Sequence, residues 1–200
     1  MKIIIASNNQ GKLNEFKKLL NEHELFLASD FVKDFDPIEN GNSFNENAQI
    51  KALALWNSLN EEQKKQFCVI SDDSGLCVEA LDDKPNIYSA RFGDEFKDKI
   101  SDKDTRNRLK LRTELQKLGI DFSKASFICV ICLIKDGEIK FAKGECIGVV
   151  GQNEFGTNGF GYDRMFMPDG SDKTFAELSD DEKNKISHRF LAINELKKIL

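Results

Sequence analysis

The feature that most narrows what this chain can fold into is a pair of apolar runs, 127–134 and 139–150, flanking the dipeptide Asp136-Gly137. Asp-Gly between two apolar runs is the strongest short-range signal for a β-hairpin, because both residues accept the positive φ of a tight turn. At least one antiparallel pair is therefore required. The run Lys2 to Ala6 is short, β-branched and continuously apolar, which suits a strand covered on both faces, as in a parallel sheet. A fold holding both kinds of strand is a mixed α/β sheet. Cys129 and Cys132 lie inside the first apolar run. In a strand, residues three apart face opposite sides, so these two read as buried thiols rather than half of a metal site.

Helical patterns fill the intervals. After Ser7-Asn8-Asn9-Gln10-Gly11-Lys12, the residues Leu13, Phe16, Leu19 and Leu20 recur at helical spacing. Ser43-Phe44-Asn45-Glu46 has the form of a capping box, continued by Ala48, Ala52, Leu55 and Leu59 on one face. A buried-type strand over 67–71 ends at Asp72-Asp73-Ser74-Gly75, and an extended pattern resumes over 76–81. A charged helix is expected from about Ser101 to Leu118, stopped by Gly119. Gly156 to Tyr162 holds three glycines and is expected to be a loop. Ser179-Asp180-Asp181-Glu182 is a second capping box, expected to open a last helix that ends in Lys197-Lys198. No repeat or linker interrupts the 200 residues, which read as one domain.

The formal charge of −5 excludes a general nucleic-acid binder, whose affinity comes from Lys and Arg neutralising phosphates. No stretch is apolar enough to span a membrane, and the apolar start at Met1 to Ala6 is too short for a secretory signal. Five cysteines without a framework spacing suit a reducing compartment. A cytoplasmic protein is expected.

Four polar segments interrupt apolar elements. Ser7 to Lys12 lacks the Walker A pattern; a polar turn before a helix is an ordinary connector, and it is also where backbone N–H groups and the helix dipole favour anions. Glu39 precedes a helix on which Asn47 and Lys51, four apart, share a face that could equally be solvated. Asp72 and Asp73 point opposite ways if extended, so one could help hold a hydrated Mg²⁺ while the other is oriented elsewhere. Finally, Gly159-Phe160-Gly161-Tyr162-Asp163 and Lys183 with Ser187-His188-Arg189 offer close backbone approach, rings that could stack on a base, and donors.

In this order, Ser7 to Lys12, Phe44 to Ala48, Ser71 to Leu76, Tyr88 to Phe92, Gly159 to Asp163 and Ser187 to Arg189 closely resemble the Ham1/ITPase family of inosine and xanthosine triphosphate pyrophosphatases, over essentially the whole chain. The resemblance implies an elongated α/β fold: a mixed, twisted sheet flanked by helices, with two lobes around a central active-site cleft and usually a homodimer. It implies hydrolysis of ITP, dITP and XTP to the monophosphate and pyrophosphate. By the same resemblance Ser7, Asn8, Asn9, Gln10, Gly11 and Lys12 hold the triphosphate, and Lys51 adds charge there. Glu39 and Asp73 hold Mg²⁺, with Asp73 also the general base. Ser74, Phe160, Gly161, Tyr162, Asp163, Lys183, His188 and Arg189 complete the nucleotide pocket. Two positions depart from the family's usual pattern: Asn8 stands where glycine is common, and Asn40 where threonine is frequent. A Maf-like pyrophosphatase for pyrimidine nucleotides and a nucleotide-binding module without turnover are the alternative readings.

Overall fold

The computed structural model describes residues 1–200. Its six strands form one mixed sheet in the order β2-β1-β3-β4-β5-β6. Strand β1 (Lys2–Ile5) pairs in parallel with β2 (Glu24–Leu27) on one side and with β3 (Phe67–Val78) on the other. Ile3, Ile4 and Ile5 are fully buried, as a strand covered on both faces requires. Strands β4 (Phe122–Lys135) and β5 (Glu138–Gly151) are joined by Asp136-Gly137. Both turn residues have positive φ, 53° and 81°, the geometry that matches the twist of the flanking strands. Strand β6 (Phe166–Pro168) adds antiparallel to β5.

The chain divides into two compact units: Met1–Asp73, Cys129–Gly144 and Ala192–Leu200 make one, and Ser74–Ile128 with Glu145–Leu191 the other. The first has a core of Ile3, Ile5, Phe16, Leu20, Ile70, Cys129, Ile131 and Ile193 among others. There α1 (Gln10–Leu19) buries Leu13 and Phe16, and α2 (Phe44–Ser58) buries Phe44, Ala48, Ala52 and Leu55. The second unit packs Leu76, Val78, Phe127, Phe166 and Phe175 around Leu111 and Leu115 of α4 (Lys103–Lys117). Burial pushes the Cys132 thiol up to about 12, so it stays protonated.

Three sequence expectations need correction. Strand β3 does not end at Asp72 but runs through Asp72-Asp73-Ser74-Gly75 to Val78. Two acidic residues survive inside a buried strand because each meets a lysine, as described below. The Ser179 capping box opens only a four-residue helix, α5 (Asp180–Lys183); the chain breaks, and α6 (His188–Lys197) starts anew. And α1 starts at Gln10, so Gln10, Gly11 and Lys12 form its first turn rather than a loop. The polar helix α3 (Glu61–Gln66) buries no residue and carries no periodic signal; a reciprocal Asn60–Gln63 box starts it. No helix is long and apolar enough to cross a membrane.

Candidate active site

In the first unit the polar segment after β1 is wound around itself. Asn9 caps α1, its Oδ1 accepting the N–H of Gly11 at 2.8 Å and of Lys12 at 3.2 Å. Ser7 Oγ accepts the N–H of Asn9 at 3.1 Å. Three backbone donors that could meet a phosphate are thus engaged by the chain's own side chains. Asn8 is exposed and its amide donates to the Phe35 carbonyl at 2.8 Å, tying this turn to the segment that leads to Glu39.

Lys12 Nζ lies 2.7 Å from Asp72 Oδ1, and the Asp72 side chain is almost wholly buried. The neighbouring carboxylate turns to the opposite face, as alternation in a strand demands. There Lys51 Nζ sits 3.3 Å from Asp73 Oδ1 and 2.9 Å from Glu39 Oε2. Lys51 reaches this point from the buried face of α2, which is anchored to β3 where Ser71 Oγ donates to the Ala48 carbonyl. Glu39 is delivered by a turn locked onto the same helix: the Gly41 N–H donates to Asn47 Oδ1 at 2.9 Å, and the Asn42 N–H to Glu46 Oε2 at 2.7 Å. A Cβ on Gly41 would fall 2.6 Å from Glu46 Cβ, so the turn needs glycine.

Burial disfavours the Lys51 ammonium, but Asp73, Asp72 and Glu39 together outweigh it and hold its pKa above the ordinary lysine value. Burial raises the Asp73 pKa and nearby Glu39 adds to the rise, while Lys51 opposes both. Asp73 Oδ2 is buried with no hydrogen-bond partner. A buried carboxylate oxygen in that condition is costly unless something positive meets it. The donors here are hard oxygen ligands of the kind Mg²⁺ takes.

The second unit gathers the late residues. The loop Gly159 to Asp163 presents Phe160, whose ring is 54% exposed. Asp163 is buried and its Oδ2 accepts the Phe160 N–H at 2.8 Å and Lys183 Nζ at 2.6 Å. Burial raises the Asp163 pKa; Lys183 and Arg189 hold the rise back. Gly159 has φ +72°, and a Cβ there would lie 2.0 Å from Asp163 Oδ2. The Lys183 ammonium sits over the Phe160 ring at 4.9 Å and the Phe175 ring at 5.4 Å. Phe175 packs near-parallel to Phe127, and Phe127 stacks on the His188 ring at 4.8 Å. His188 and Arg189 are both buried.

Of the two rings that could stack on a base, Tyr162 is the tethered one. Its side chain is buried, and its hydroxyl donates to the Ser89 carbonyl at 2.8 Å. Ser89 Oγ in turn accepts the Leu76 N–H at 2.9 Å. Tyr162 therefore braces the loop while Phe160 offers the exposed ring. Ser74 is half-buried within β3. Ser89 and Asn47 are not among the expected site residues, although the spacing of Asn47 to Lys51 and the Tyr88 to Phe92 motif each carry a signal for them.

The chain belongs to the Ham1 family, whose pattern it matches over residues 3–199. It is 47% identical over 201 residues to a Campylobacter jejuni protein named dITP/XTP pyrophosphatase, covering 100% of this chain and 96% of that one. A Staphylococcus aureus protein of the same name is 44% identical, with 99% and 95% covered. Among solved structures, the S. aureus Ham1 protein superposes with a TM-score of 0.85 at 40% identity, covering 100% of this chain and 97% of that one. A HAM1 protein from Coxiella burnetii gives 0.86 at 31%, with 100% and 98% covered.

Proposed function

We propose that the 200 residues form one catalytic domain that hydrolyses ITP, dITP and XTP to the monophosphate and pyrophosphate. Relatives named for dITP and XTP pyrophosphatase activity, 44–47% identical along nearly their whole length, support the substrate class. The observation that carries the chemistry is the Glu39–Lys51–Asp73 cluster, with one Asp73 oxygen buried and unpartnered.

Glu39 and Asp73 would hold Mg²⁺, which when bound supplies positive charge that screens the triphosphate and polarises the phosphorus under attack. Asp73 accepts the proton of the attacking water, and the burial that raises its pKa strengthens it as a base. Lys12 and Lys51 donate to the departing pyrophosphate, exchanging their carboxylate partners for phosphate oxygens. Ser7, Asn9 and the first turn of α1 fix the phosphate chain once the Asn9 side chain yields its N–H groups. Phe160 stacks on the base, and His188 and Arg189 donate to the carbonyl at purine C6, where adenine carries an amine. A donor facing an amine leaves two polar groups unpaired, the strongest source of discrimination in a buried pocket. The protein works in the cytoplasm, and a homodimer is the expected assembly.

The test is Asp73→Asn assayed with ITP and Mg²⁺. Turnover should fall about 10²–10⁴-fold, the usual span for removing a general base, with pyrophosphate the wild-type product and the melting profile retained. Full activity in this variant, or orthophosphate as the wild-type product, contradicts the mechanism.

A further inference from the structure

Helix α4 is a second charged element, besides Lys183 of α5, whose side chains reach the Phe160 loop. Asp104 and Arg108 are four residues apart and so share a face. Both grip a single residue of the loop: Asp104 Oδ2 accepts the Gly161 N–H at 2.7 Å, and Arg108 Nη1 donates to the Gly161 carbonyl at 2.9 Å. Arg108 is buried and is itself held, its Nε 3.0 Å from Glu154 Oε2. With Asp163 on the Phe160 N–H, the peptides on both sides of Phe160 are fixed by aspartate side chains. Gly161 takes φ +60°, with open space around the position a Cβ would fill, so these bonds, not packing, set its conformation. Phe160 itself is exposed. Apart from the Lys183 ammonium over one face, its ring direction is therefore dictated by its backbone.

The geometry points to Asp104 and Arg108 as positioning residues that aim Phe160 at the base, and so set the KM and base selectivity of nucleotide hydrolysis without touching phosphate or metal. This rests on the reading of Phe160 as the base platform. Hydrogen bonds to ionised groups are the strong ones, and loss of one from the loop corresponds to about a 10-fold change in an equilibrium that depends on the loop's aim. The catalytic step itself belongs to Asp73 and the lysines, so kcat is spared.

The experiment measures kcat and KM for ITP in Asp104→Ala, Asp104→Asn, Phe160→Ala and the double variant Asp104→Ala/Phe160→Ala. Asp104→Ala should raise KM about 10-fold with kcat nearly unchanged. Asp104→Asn, which keeps an acceptor, should recover part of the loss. In the Phe160→Ala background Asp104→Ala should add nothing, since contacts acting through one group are not additive. Asp102→Ala separates positioning from stability: Asp102 caps α4, accepting the Thr105 N–H at 2.7 Å, and is expected to lower the melting temperature while leaving KM alone. A KM rise in Asp102→Ala equal to that in Asp104→Ala, or a further rise from Asp104→Ala on top of Phe160→Ala, overturns the proposal. So does an unchanged KM in Asp104→Ala when Phe160→Ala raises it. If Phe160→Ala itself leaves KM unchanged, the base-platform reading falls and takes the proposal with it.

Discussion

Replacing Lys51 with methionine keeps the apolar stem of the side chain, one atom shorter, and removes the positive charge lying between Glu39 and Asp73. Lys51 is 8% exposed, and the Asp73 side chain is 12% exposed against 34% for Glu39. Orphaning a fully buried charge costs about 3–5 kcal/mol, and because Glu39 remains in reach of solvent we expect about 2–3 kcal/mol here. For a chain of this size each kcal/mol moves the melting temperature by about 2–4 °C, so the fall is about 4–12 °C in chelator at neutral pH. The deficit should shrink in acid. Without Lys51 the Asp73 pKa rises further, and a carboxyl whose folded pKa lies above its unfolded value contributes stability at low pH that is lost as pH rises through the folded pKa. Adding Asp73→Asn to Lys51→Met should restore part of the loss, since the two sites are coupled. Thermal unfolding of the four proteins at several pH values is the assay. A Lys51→Met protein that melts with the wild type, or a double variant whose losses simply add, refutes the account of Lys51 as the shared counter-ion.

Three further outcomes follow. The Lys51 contribution to wild-type stability is present below its unfolded pKa of about 10.4 and lost as pH rises through its raised folded pKa, so the melting gap between wild type and Lys51→Met should close in strong alkali. Gly159→Ala places a Cβ on Asp163 at a positive φ, and should cost about 2 kcal/mol or more and raise KM for ITP by displacing the Phe160 N–H from its acceptor; a melt unchanged from wild type would contradict the packing described. His188→Ala should narrow the kcat/KM gap between ITP and ATP more than it slows ITP hydrolysis, whereas equal losses on both would remove His188 from base reading.

What could be read from the sequence was what local chemistry decides. Asp136-Gly137, the Ser43 cap and the isoleucines of β1 each fix their element through neighbours within a few residues. Strands β2 and β6 were missed because four and three residues are too few to display a period. Helix α3 was missed because it buries nothing. Asp72-Asp73 read as the end of a strand because two unpaired carboxylates are unfit for a strand interior; Lys12 and Lys51, 60 and 22 residues away in sequence, make them fit. The separation of roles between Phe160 and Tyr162 was equally hidden, since only the distant Ser89 carbonyl shows which ring is tethered. Asp104 and Arg108 read as an ordinary charged helix face for the same reason, their partner Gly161 lying more than fifty residues on.

The central claim is tested most directly by kcat/KM for pyrophosphate release, with Mg²⁺, from ITP, XTP, ATP, GTP and dUTP in parallel. The account predicts strong preference for ITP and XTP over ATP and GTP, with little activity on dUTP. Preference for dUTP would place the chain's activity on pyrimidines, and no release from any of the five would contradict the catalytic reading altogether.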